Sequence, residues 1–372
     1  MSDPFRVMVV DDSAVIRGLL KRALEADPAV SVVALVSNGQ HALSTLARQD
    51  IEVIVLDIEM PVMDGMTALP LLLDARPGVQ VVMASTLTRK NAEISLRAMT
   101  MGAADYVTKP SSTSEIHSAD SFKHELVEKI KALAAAGRNG RRKIIARPVQ
   151  KPTSDSALPR KTGVAYAPAN IKLRPAARQM PDVIAIGSST GGPQALFEVL
   201  GHLGTDIKQP ILITQHMPAT FTALLAEHIT KTSKIPASEA KDGETILPGH
   251  IYVAPGDHHM VVERGKTGNH IRLNTDPPEN FCRPAVDPML RSMAKIYGSR
   301  LLVVILTGMG ADGQKGGAVA TEAGGTVIAQ DEATSVVWGM PGAVATAGLC
   351  SAVLPLPEIA PYIRKFVMRS AA

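Results

Sequence analysis

The chain has 372 residues, of which 45% are hydrophobic, 20% are charged and only 3% are aromatic. This length accommodates about two domains that each bury an apolar core, and the composition excludes a wholly disordered chain. The low aromatic content argues against a protein that binds nucleic acid by stacking bases on aromatic rings. The two cysteines, Cys282 and Cys350, lie far apart, which excludes a disulfide framework and a cysteine zinc site and suits a reducing cytoplasm.

Short apolar runs alternate with helical patterns over the first 136 residues. The predicted strands are Val7–Val10, Val30–Val36, Ile51–Leu56, Val79–Met83 and Ala103–Val107. The predicted helices cover residues 14–26, 39–48, 65–74, 90–100 and 114–135. Because the strands are apolar on both sides and each is followed by a helix, they predict a parallel sheet that is covered on both faces. In such a sheet, functional groups collect at the carboxyl ends of the strands.

Four of these strand ends carry polar groups of matching chemistry, namely Asp11 and Asp12, Asp57, Ser85, and Lys109. Three carboxylates close together repel one another unless a cation lies among them, and hard oxygen ligands suit Mg²⁺. A hydroxyl and a lysine nearby can pair with phosphoryl oxygens, which makes Asp57 a candidate nucleophile that forms an acyl phosphate. Any one of the aspartates could instead cap a helix, but the five groups together favour a phosphoryl site.

The basic residues concentrate between Arg138 and Met180. This stretch holds eleven Lys or Arg, one acid and five prolines, a net charge of +10, so the rest of the chain carries −6 of the total of +4. It has no apolar periodicity, and its prolines interrupt helices and inner strands, which predicts a flexible linker. We therefore expect domains at residues 1–137 and 181–372 and a linker at 138–180. A solubilising tether is favoured over an anion-binding arm because the basic residues are dispersed.

Targeting and membrane signals are missing from the pattern. The apolar strand at Val7 follows Met1 almost directly, without the long apolar region of a signal peptide. Nowhere do about 18 apolar residues run together, as a membrane span requires. The sequence therefore predicts a cytoplasmic protein that does not insert into a membrane.

A second series of strands and helices begins with the strand Val183–Ile186, which leads into a glycine-rich turn. In that turn Gly187, Ser189 and Gly191 have the spacing of a nucleophile elbow. Small residues let the chain turn sharply and aim backbone N–H groups at one point. A phosphate-cradling loop needs the same geometry, so this motif alone leaves a hydrolase and a phosphate binder equally open.

Two further strands, Ile211–Thr214 and Leu301–Leu306, lead to residues that complement Ser189. The first is followed by His216 and the second by Asp312, and parallel strands bring such ends together. The three residues could then form a nucleophile, a base and an orienting carboxylate. Their chain order differs from that of the α/β-hydrolases, which excludes that fold. Taken singly, the histidine could equally belong to the core and the aspartate could equally cap a helix, but their joint placement favours a triad.

Three stretches of the N-terminal part form a recognisable set: Val9–Ser13, Leu56–Gly65 and Tyr106–Pro110. In these stretches the chain resembles a two-component response-regulator receiver domain. The resemblance implies a flavodoxin-like fold, a CheA-like histidine kinase as phosphodonor and phosphorylation at Asp57. The implied Mg²⁺ ligands are Asp11, Asp12, Asp57 and the backbone carbonyl of Glu59. The implied switch residues are Ser85, Tyr106 and Lys109, of which the lysine contacts the phosphoryl group.

Four stretches of the C-terminal part form a second recognisable set: Gly187–Pro193, Thr214–Pro218, Tyr252–His259 and Leu306–Gly313. In these stretches the chain resembles the catalytic domain of the CheB family of chemotaxis methylesterases. The resemblance implies a doubly wound, mostly parallel α/β domain that hydrolyses glutamate methyl esters on chemoreceptors, often deamidates receptor glutamines and needs no cofactor for this chemistry. The implied roles are nucleophile for Ser189, base for His216, orienting carboxylate for Asp312 and oxyanion donor for the backbone N–H of Met309.

The order of receiver, linker and esterase implies regulation by phosphorylation: the receiver packs over the esterase cleft until phosphorylation of Asp57 shifts the population towards an open arrangement. Two alternatives remain open at this point. One is a phosphorelay-controlled binding or DNA-binding regulator, supported by the basic linker; however, the pattern after residue 181 does not predict a helix-turn-helix, and no DNA partner is expected. The other keeps the esterase but assigns it to a receptor array outside chemotaxis.

Overall fold

The computed structural model describes residues 3–109, 116–145, 171–266 and 268–368, with the backbone alone for 116–121 and 139–145. The N-terminal domain contains five strands: β1 (Phe5–Val10), β2 (Val30–Val36), β3 (Val53–Asp57), β4 (Gln80–Ser85) and β5 (Asp105–Thr108). All pairings are parallel, and the strand order is β2-β1-β3-β4-β5. This arrangement confirms the predicted flavodoxin-like sheet.

Five helices connect and cover these strands: α1 (Ala14–Leu24), α2 (Gly39–Leu46), α3 (Gly65–Ala75), α4 (Arg89–Thr100) and α5 (Ile116–Ile145). Each of the first four helices is preceded by a capping residue whose side chain accepts a hydrogen bond from a backbone N–H of the first turn. These residues are Ser13, Asn38, Asp64 and Thr88. Such caps satisfy N–H groups that a helix leaves unpaired at its start. The loops at the carboxyl end of the sheet therefore have defined conformations.

The C-terminal domain contains a seven-stranded sheet and a separate antiparallel hairpin. The sheet strands are β6 (Val183–Ser188), β7 (Ile211–Gln215), β8 (Ala237–Glu239), β9 (Ile251–Val253), β12 (Leu301–Ile305), β13 (Thr326–Gln330) and β14 (Ala352–Leu354). The hairpin strands are β10 (His259–Arg264) and β11 (Asn269–Asn274). The sheet is parallel throughout, in the order β14-β13-β12-β6-β7-β9-β8. The chain winds in opposite directions on the two sides of β6, so a crevice opens at the carboxyl ends of β6 and β12.

Six helices and one short 3₁₀ turn complete the described part of this domain. The helices are α6 (Gly192–Gly201), α7 (Ala219–Ser233), α8 (Val286–Tyr297), α9 (Gln314–Glu322), α10 (Met340–Thr346) and α11 (Leu356–Val367), and the turn is Gly298–Arg300. Every residue of β6 and β12 is buried. Burial of each large aliphatic side chain contributes about 1.5–3 kcal/mol to folding. The central strands therefore form a rigid base for the loops at their ends. Among the described residues, no helix combines the length and apolar character needed to cross a bilayer.

The two domains pack directly on each other. The side-chain amide of Gln194 on α6 donates to the backbone carbonyl of Met99 at the end of α4, with an N–O distance of 2.7 Å. The Tyr106 ring on β5 stacks on that of Phe221 on α7, with the ring centroids 4.3 Å apart. An exposed ion pair joins Arg89 on α4 to Glu227 on α7. The surface formed by α4 and β5 is thus covered by α6 and α7 of the C-terminal domain.

The start of the expected linker belongs to the N-terminal domain. Helix α5 continues to Ile145, and Arg138 within it donates to the buried carboxylate of Glu52, with an Nη2–Oε2 distance of 2.9 Å. The expected boundary at residue 137 therefore falls within this helix. The boundary was placed where the basic residues begin, but composition alone could not show that the first of them, Arg138, pairs with the buried Glu52.

The end of the expected linker belongs to the C-terminal domain. The backbone N–H of Arg174 donates to the carbonyl of Cys350, and that of Ala177 donates to the hydroxyl of Thr326. The expected boundary at residue 181 therefore falls within that domain. The remaining part of the expected linker, residues 146–170, lies outside the described residues.

Gly65 begins α3 directly against Asp57, and a Cβ at this position would lie 2.0 Å from the Asp57 carbonyl oxygen. We expect Gly65→Ala to lower the free energy of unfolding by about 1–3 kcal/mol, because the backbone must shift to admit the methyl group. Urea unfolding followed by circular dichroism measures this. Gly18 within α1 is the matched control, since a Cβ there meets no atom within 4 Å and alanine favours the helix. Equal unfolding midpoints for the two variants would contradict the tight packing at Gly65.

Candidate active site and phosphoryl site

Three aspartates at the carboxyl end of the first sheet lie together, as predicted. Asp11 and Asp12 follow β1, Asp57 ends β3, and one oxygen from each carboxylate lies within 4.8 Å of the others. The ammonium group of Lys109 bonds to both Asp11 and Asp57, with N–O distances of 2.6 Å in each case. Oxygen ligands at this spacing fit a divalent cation of the Mg²⁺ type.

The electrostatics of Asp57 favour added positive charge. Burial raises the pKa of the Asp57 carboxyl, and the negative charge of Asp11 raises it further, while Lys109 and the backbone N–H of Ile58 oppose the shift. Three carboxylates and one ammonium group leave an excess of negative charge at this edge of the sheet. A divalent cation would relieve that repulsion.

The other residues that sequence reasoning assigned to this site lie around the cluster. The Glu59 carboxylate pairs with Lys90 at 3.1 Å and is outside the cluster, which leaves only the Glu59 backbone carbonyl as a candidate ligand. Ser85 is buried, and its hydroxyl accepts from that of Ser95. Tyr106 is buried in the domain interface described above. The candidate switch residues thus extend from the carboxylates to the C-terminal domain.

Ser189 lies in a tight turn between β6 and α6. Gly191 has a left-handed backbone with φ of 74°, and a Cβ there would lie 2.6 Å from Val336. A Cβ on Gly192 would lie 2.0 Å from the side-chain oxygen of Gln215. The turn therefore requires both glycines, and it has the strand-turn-helix context of a nucleophile elbow.

His216 and Asp312 are joined by a hydrogen bond of 2.7 Å between Nε2 and Oδ2. The Asp312 carboxylate also accepts the backbone N–H groups of Val286 and Asp287, at 2.6 and 3.0 Å, where α8 begins. Burial alone would raise the pKa of Asp312, but the bonds to His216 and to these N–H groups lower it below its usual range. Asp312 is therefore an ionised, buried carboxylate, and the helix that it caps is α8 rather than the helix that follows it.

Asn280 connects two buried carboxylates. Its side-chain amide donates to Asp312 at 2.9 Å and to Asp287 at 3.2 Å. Burial raises the pKa of the Asp287 carboxyl, and the charge of Asp312 adds to this, while a bond from the Gly316 N–H opposes it. Sequence reasoning missed Asn280, because it lies in an irregular turn and no periodicity or spacing links it to either aspartate.

The second nitrogen of His216 faces a cysteine. The Sγ atom of Cys282 lies 3.3 Å from Nδ1, and within the described chain no hydrogen bond joins the Ser189 hydroxyl to this imidazole. Burial opposes a charged His216, but the attraction of Cys282 and then of Asp312 outweighs it and raises the pKa of His216 to about 10. Sequence reasoning missed this contact too: it considered the two cysteines only for disulfides and zinc.

The candidate catalytic residues line one cleft between the domains, with a volume of about 450 Å³. The C-terminal domain contributes Ser189, His216, Met309 and Asp312, and the N-terminal domain contributes Tyr106, His124, Glu125, Glu128 and Lys129. Met309 also packs against an apolar cluster of the N-terminal domain. A larger cavity of about 590 Å³, between α8 and the β10–β11 hairpin, contains none of the predicted site residues, so the smaller cleft is the candidate active site.

Comparison with known proteins agrees with this architecture. Residues 184–363 match the family described as CheB methylesterase, and residues 7–120 match the response regulator receiver domain. A Rhodospirillum centenum protein named protein-glutamate methylesterase/protein-glutamine glutaminase of group 2 operon is 63% identical over 379 residues, covering 100% of this chain and 96% of that protein. The chain belongs to the CheB methylesterase family. Its two domains are a receiver domain and a CheB-type esterase domain.

Two further proteins of the CheB family are similar in sequence to this chain or to part of it. The protein-glutamate methylesterase/protein-glutamine glutaminase of Azospirillum brasilense is 61% identical, covering 99% of this chain and 94% of that protein. The crystal structure of the Thermotoga maritima CheB methylesterase catalytic domain is 41% identical, covering 50% of this chain and 99% of that chain, with a TM-score of 0.49. The two named relatives thus align with nearly the whole of this chain.

The carboxylate cluster predicts that Mg²⁺ stabilises the receiver domain. At 100 times its Kd, a ligand that binds only the folded state adds about 2.7 kcal/mol to the free energy of unfolding. We expect Mg²⁺ to raise the Tm of the wild-type chain and Asp12→Asn to abolish this rise, because the variant loses one charged ligand. The matched control is Asp64→Asn, at the start of α3, which keeps a capping side chain outside the cluster. An equal rise in Tm for Asp12→Asn would exclude Asp12 as a ligand.

Proposed function

We propose that this chain hydrolyses glutamate methyl esters on chemoreceptors and also deamidates receptor glutamines. The names of relatives that are 60% or more identical state both activities for those proteins. On this chain, the proposal rests mainly on the bond between His216 and Asp312. That bond leaves the second imidazole nitrogen in the cleft that Ser189 also lines.

In the first half of the proposed reaction, the Ser189 oxygen attacks the ester carbonyl carbon and its proton passes to Nδ1 of His216. The ionised Asp312 fixes the imidazole tautomer and stabilises the imidazolium. The oxyanion accepts the backbone N–H of Met309 and that of Thr190, the residue after the nucleophile. A donor of this kind contributes a factor of about 10²–10³ in rate. The tetrahedral intermediate then expels methanol, which takes up the proton from His216.

In the second half, water attacks the carbonyl carbon of the acyl-enzyme and gives its proton to His216. The intermediate releases the glutamate side chain as a carboxylic acid, which loses its remaining proton to water, and His216 returns its proton to the Ser189 oxygen. With glutamine as substrate the same steps expel ammonia instead of methanol. His216 carries the proton in each transfer to and from Ser189, the leaving group and the attacking water, so the proposed chemistry requires no cofactor.

The receiver domain, in this proposal, accepts a phosphoryl group on Asp57 from a histidine kinase. Asp11, Asp12, Asp57 and the Glu59 carbonyl would hold Mg²⁺, which when bound neutralises charge on the phosphoryl oxygens. Lys109 already bonds to the carboxylate of Asp57. After phosphorylation the Lys109 ammonium group would bond to a phosphoryl oxygen, and the Ser85 hydroxyl would donate a hydrogen bond to another phosphoryl oxygen.

Phosphorylation is proposed to open the cleft. A volume of 450 Å³ is about that of a single turn of a helix with its side chains, so a helical receptor segment cannot enter while α5 forms one wall. Ser85 is the last residue of β4, and Lys109 directly follows β5. Strand β5 carries Tyr106, which lies in the domain interface. Movement of these groups onto a phosphoryl group would favour the arrangement in which the receiver domain has left the cleft.

Ser189→Ala removes the proposed nucleophile while leaving His216 and Asp312 in place. We expect it to reduce methanol release from methylated receptor membranes by at least about 10³-fold, as loss of a triad nucleophile does elsewhere. The control is Ser299→Ala, in the 3₁₀ turn outside the cleft, which should keep the wild-type rate. Continued methanol release by Ser189→Ala would overturn the assignment of the nucleophile.

A further inference from the structure

Both nitrogens of the candidate base are occupied in this structure. Nε2 of His216 bonds to Asp312 at 2.7 Å, and Nδ1 contacts the sulfur of Cys282 at 3.3 Å. A thiol is a weak donor and a thiolate is an acceptor, so the sulfur suits either protonation state of the imidazole. Nδ1 is also the nitrogen that must receive the proton of Ser189 in the proposed reaction. Cys282 and Ser189 therefore compete for one atom.

A tight turn places Cys282 against the imidazole. Glu279 and Cys282 exchange two backbone hydrogen bonds, of 2.9 and 3.1 Å, around Asn280 and Phe281. Both intervening residues have left-handed backbones, with φ of 52° and 63°, a conformation that residues other than glycine rarely adopt. Such a strained turn persists only where other contacts hold it, and here the bonds from Asn280 to Asp312 and Asp287 do so.

The same turn also meets the receiver domain. The side chain of Phe281 is 92% exposed, and its ring centroid lies 5.8 Å from that of His124 on α5. His124 and Cys282 both line the cleft. Departure of α5 would remove the neighbour on the outer side of the turn, while the bonds from Asn280 would remain on its inner side.

We propose that Cys282 is a positioning residue that holds His216 in a resting state, in which its sulfur occupies Nδ1 until the receiver domain leaves the cleft. In the active state Ser189 takes the place of Cys282 at that nitrogen. This inference rests on the proposed serine esterase activity. The receiver domain would then inhibit the enzyme in two ways: it covers the cleft, and it keeps Cys282 on the nitrogen of His216 that Ser189 needs.

The electrostatics of the resting contact agree with this role. Burial opposes a charged imidazole here, but the contacts with Cys282 and Asp312 raise the pKa of His216 to about 10, which favours the protonated form that cannot take a proton from Ser189. Asp312 faces the ring on one side and Cys282 on the other. The remaining charged or titratable groups around the cleft include Asp257, Arg283, His124, Glu125, Glu128 and Lys129. Removing Cys282 leaves these groups unchanged and lowers the pKa of the base.

The first test measures methanol release by full-length, unphosphorylated Cys282→Ala. We expect the basal rate to rise several-fold, the stimulation by a phosphodonor to shrink, and the acid limb of kcat/KM to move to lower pH. Cys282→Ser keeps a hydroxyl beside Nδ1 and is expected to restore a low basal rate. Cys350→Ala, which removes a buried thiol outside the cleft, should match the wild type. An unchanged basal rate and pH limb in Cys282→Ala, or an equal fall of both rates, would overturn the inference.

The second test is independent of the serine chemistry and measures alkylation of the native chain by iodoacetamide, with mass spectrometry of each cysteine. Cys282 should react faster than Cys350, because burial raises the pKa of the Cys350 thiol to about 12. His216→Gln should slow alkylation of Cys282, whereas Ser189→Ala should not. An unchanged rate in His216→Gln would overturn the Cys282–His216 pairing. Methanol release by Ser189→Ala would instead overturn the proposed function, whatever the alkylation rates.

Discussion

The buried carboxylate of Asp312 holds the candidate active site together. It accepts a hydrogen bond from His216 beyond β7, from two backbone N–H groups at the start of α8, and from Asn280 in the turn that precedes that helix. A buried charge is tolerated only where several donors stabilise it, and these donors come from three separate segments. The position of the base, the start of α8 and the turn that carries Cys282 therefore depend on one side chain.

The individual aromatic and polar contacts across the domain interface are each modest in energy. The Tyr106–Phe221 stack contributes about 0.5–1.5 kcal/mol beyond the area it buries, and the bond from Gln194 about as much. The exposed Arg89–Glu227 pair contributes about 0–1 kcal/mol. Moving a two-state population from 1:99 to 99:1 takes about 5.5 kcal/mol, so contacts of this size can be outweighed by a change at Asp57.

Much of the site was predictable because parallel strands impose a simple geometry. The ends of β1 and β3 were expected to bring Asp11, Asp12 and Asp57 together, and the structure confirms this. The ends of β6, β7 and β12 likewise bring Ser189, His216 and Asp312 into one cleft, although their catalytic roles stay predictions. In both domains, the apolar pattern located the strands, and the polar residue after each strand identified the candidate site residue.

What sequence reasoning missed depends on irregular backbone or on contacts between distant segments. Asn280 and Cys282 reach the site through a turn with two left-handed residues, and neither of these is a glycine that would have marked it. Arg138 looked like part of a solvated basic tether, yet it pairs with the buried Glu52. Gln194, which bonds across the domain interface, has no local signal at all. Such positions are set by tertiary packing rather than by periodicity.

In the proposed regulation, the resting receiver domain denies access to Ser189 and phosphorylation at Asp57 restores it. The most direct measurement is the rate at which a serine-directed fluorophosphonate labels Ser189 in the full chain, with and without Mg²⁺ and acetyl phosphate. We expect slow labelling at rest, faster labelling with the phosphodonor, and no acceleration in Asp57→Asn. Equal labelling rates with and without the phosphodonor, or the same acceleration in Asp57→Asn, would contradict it.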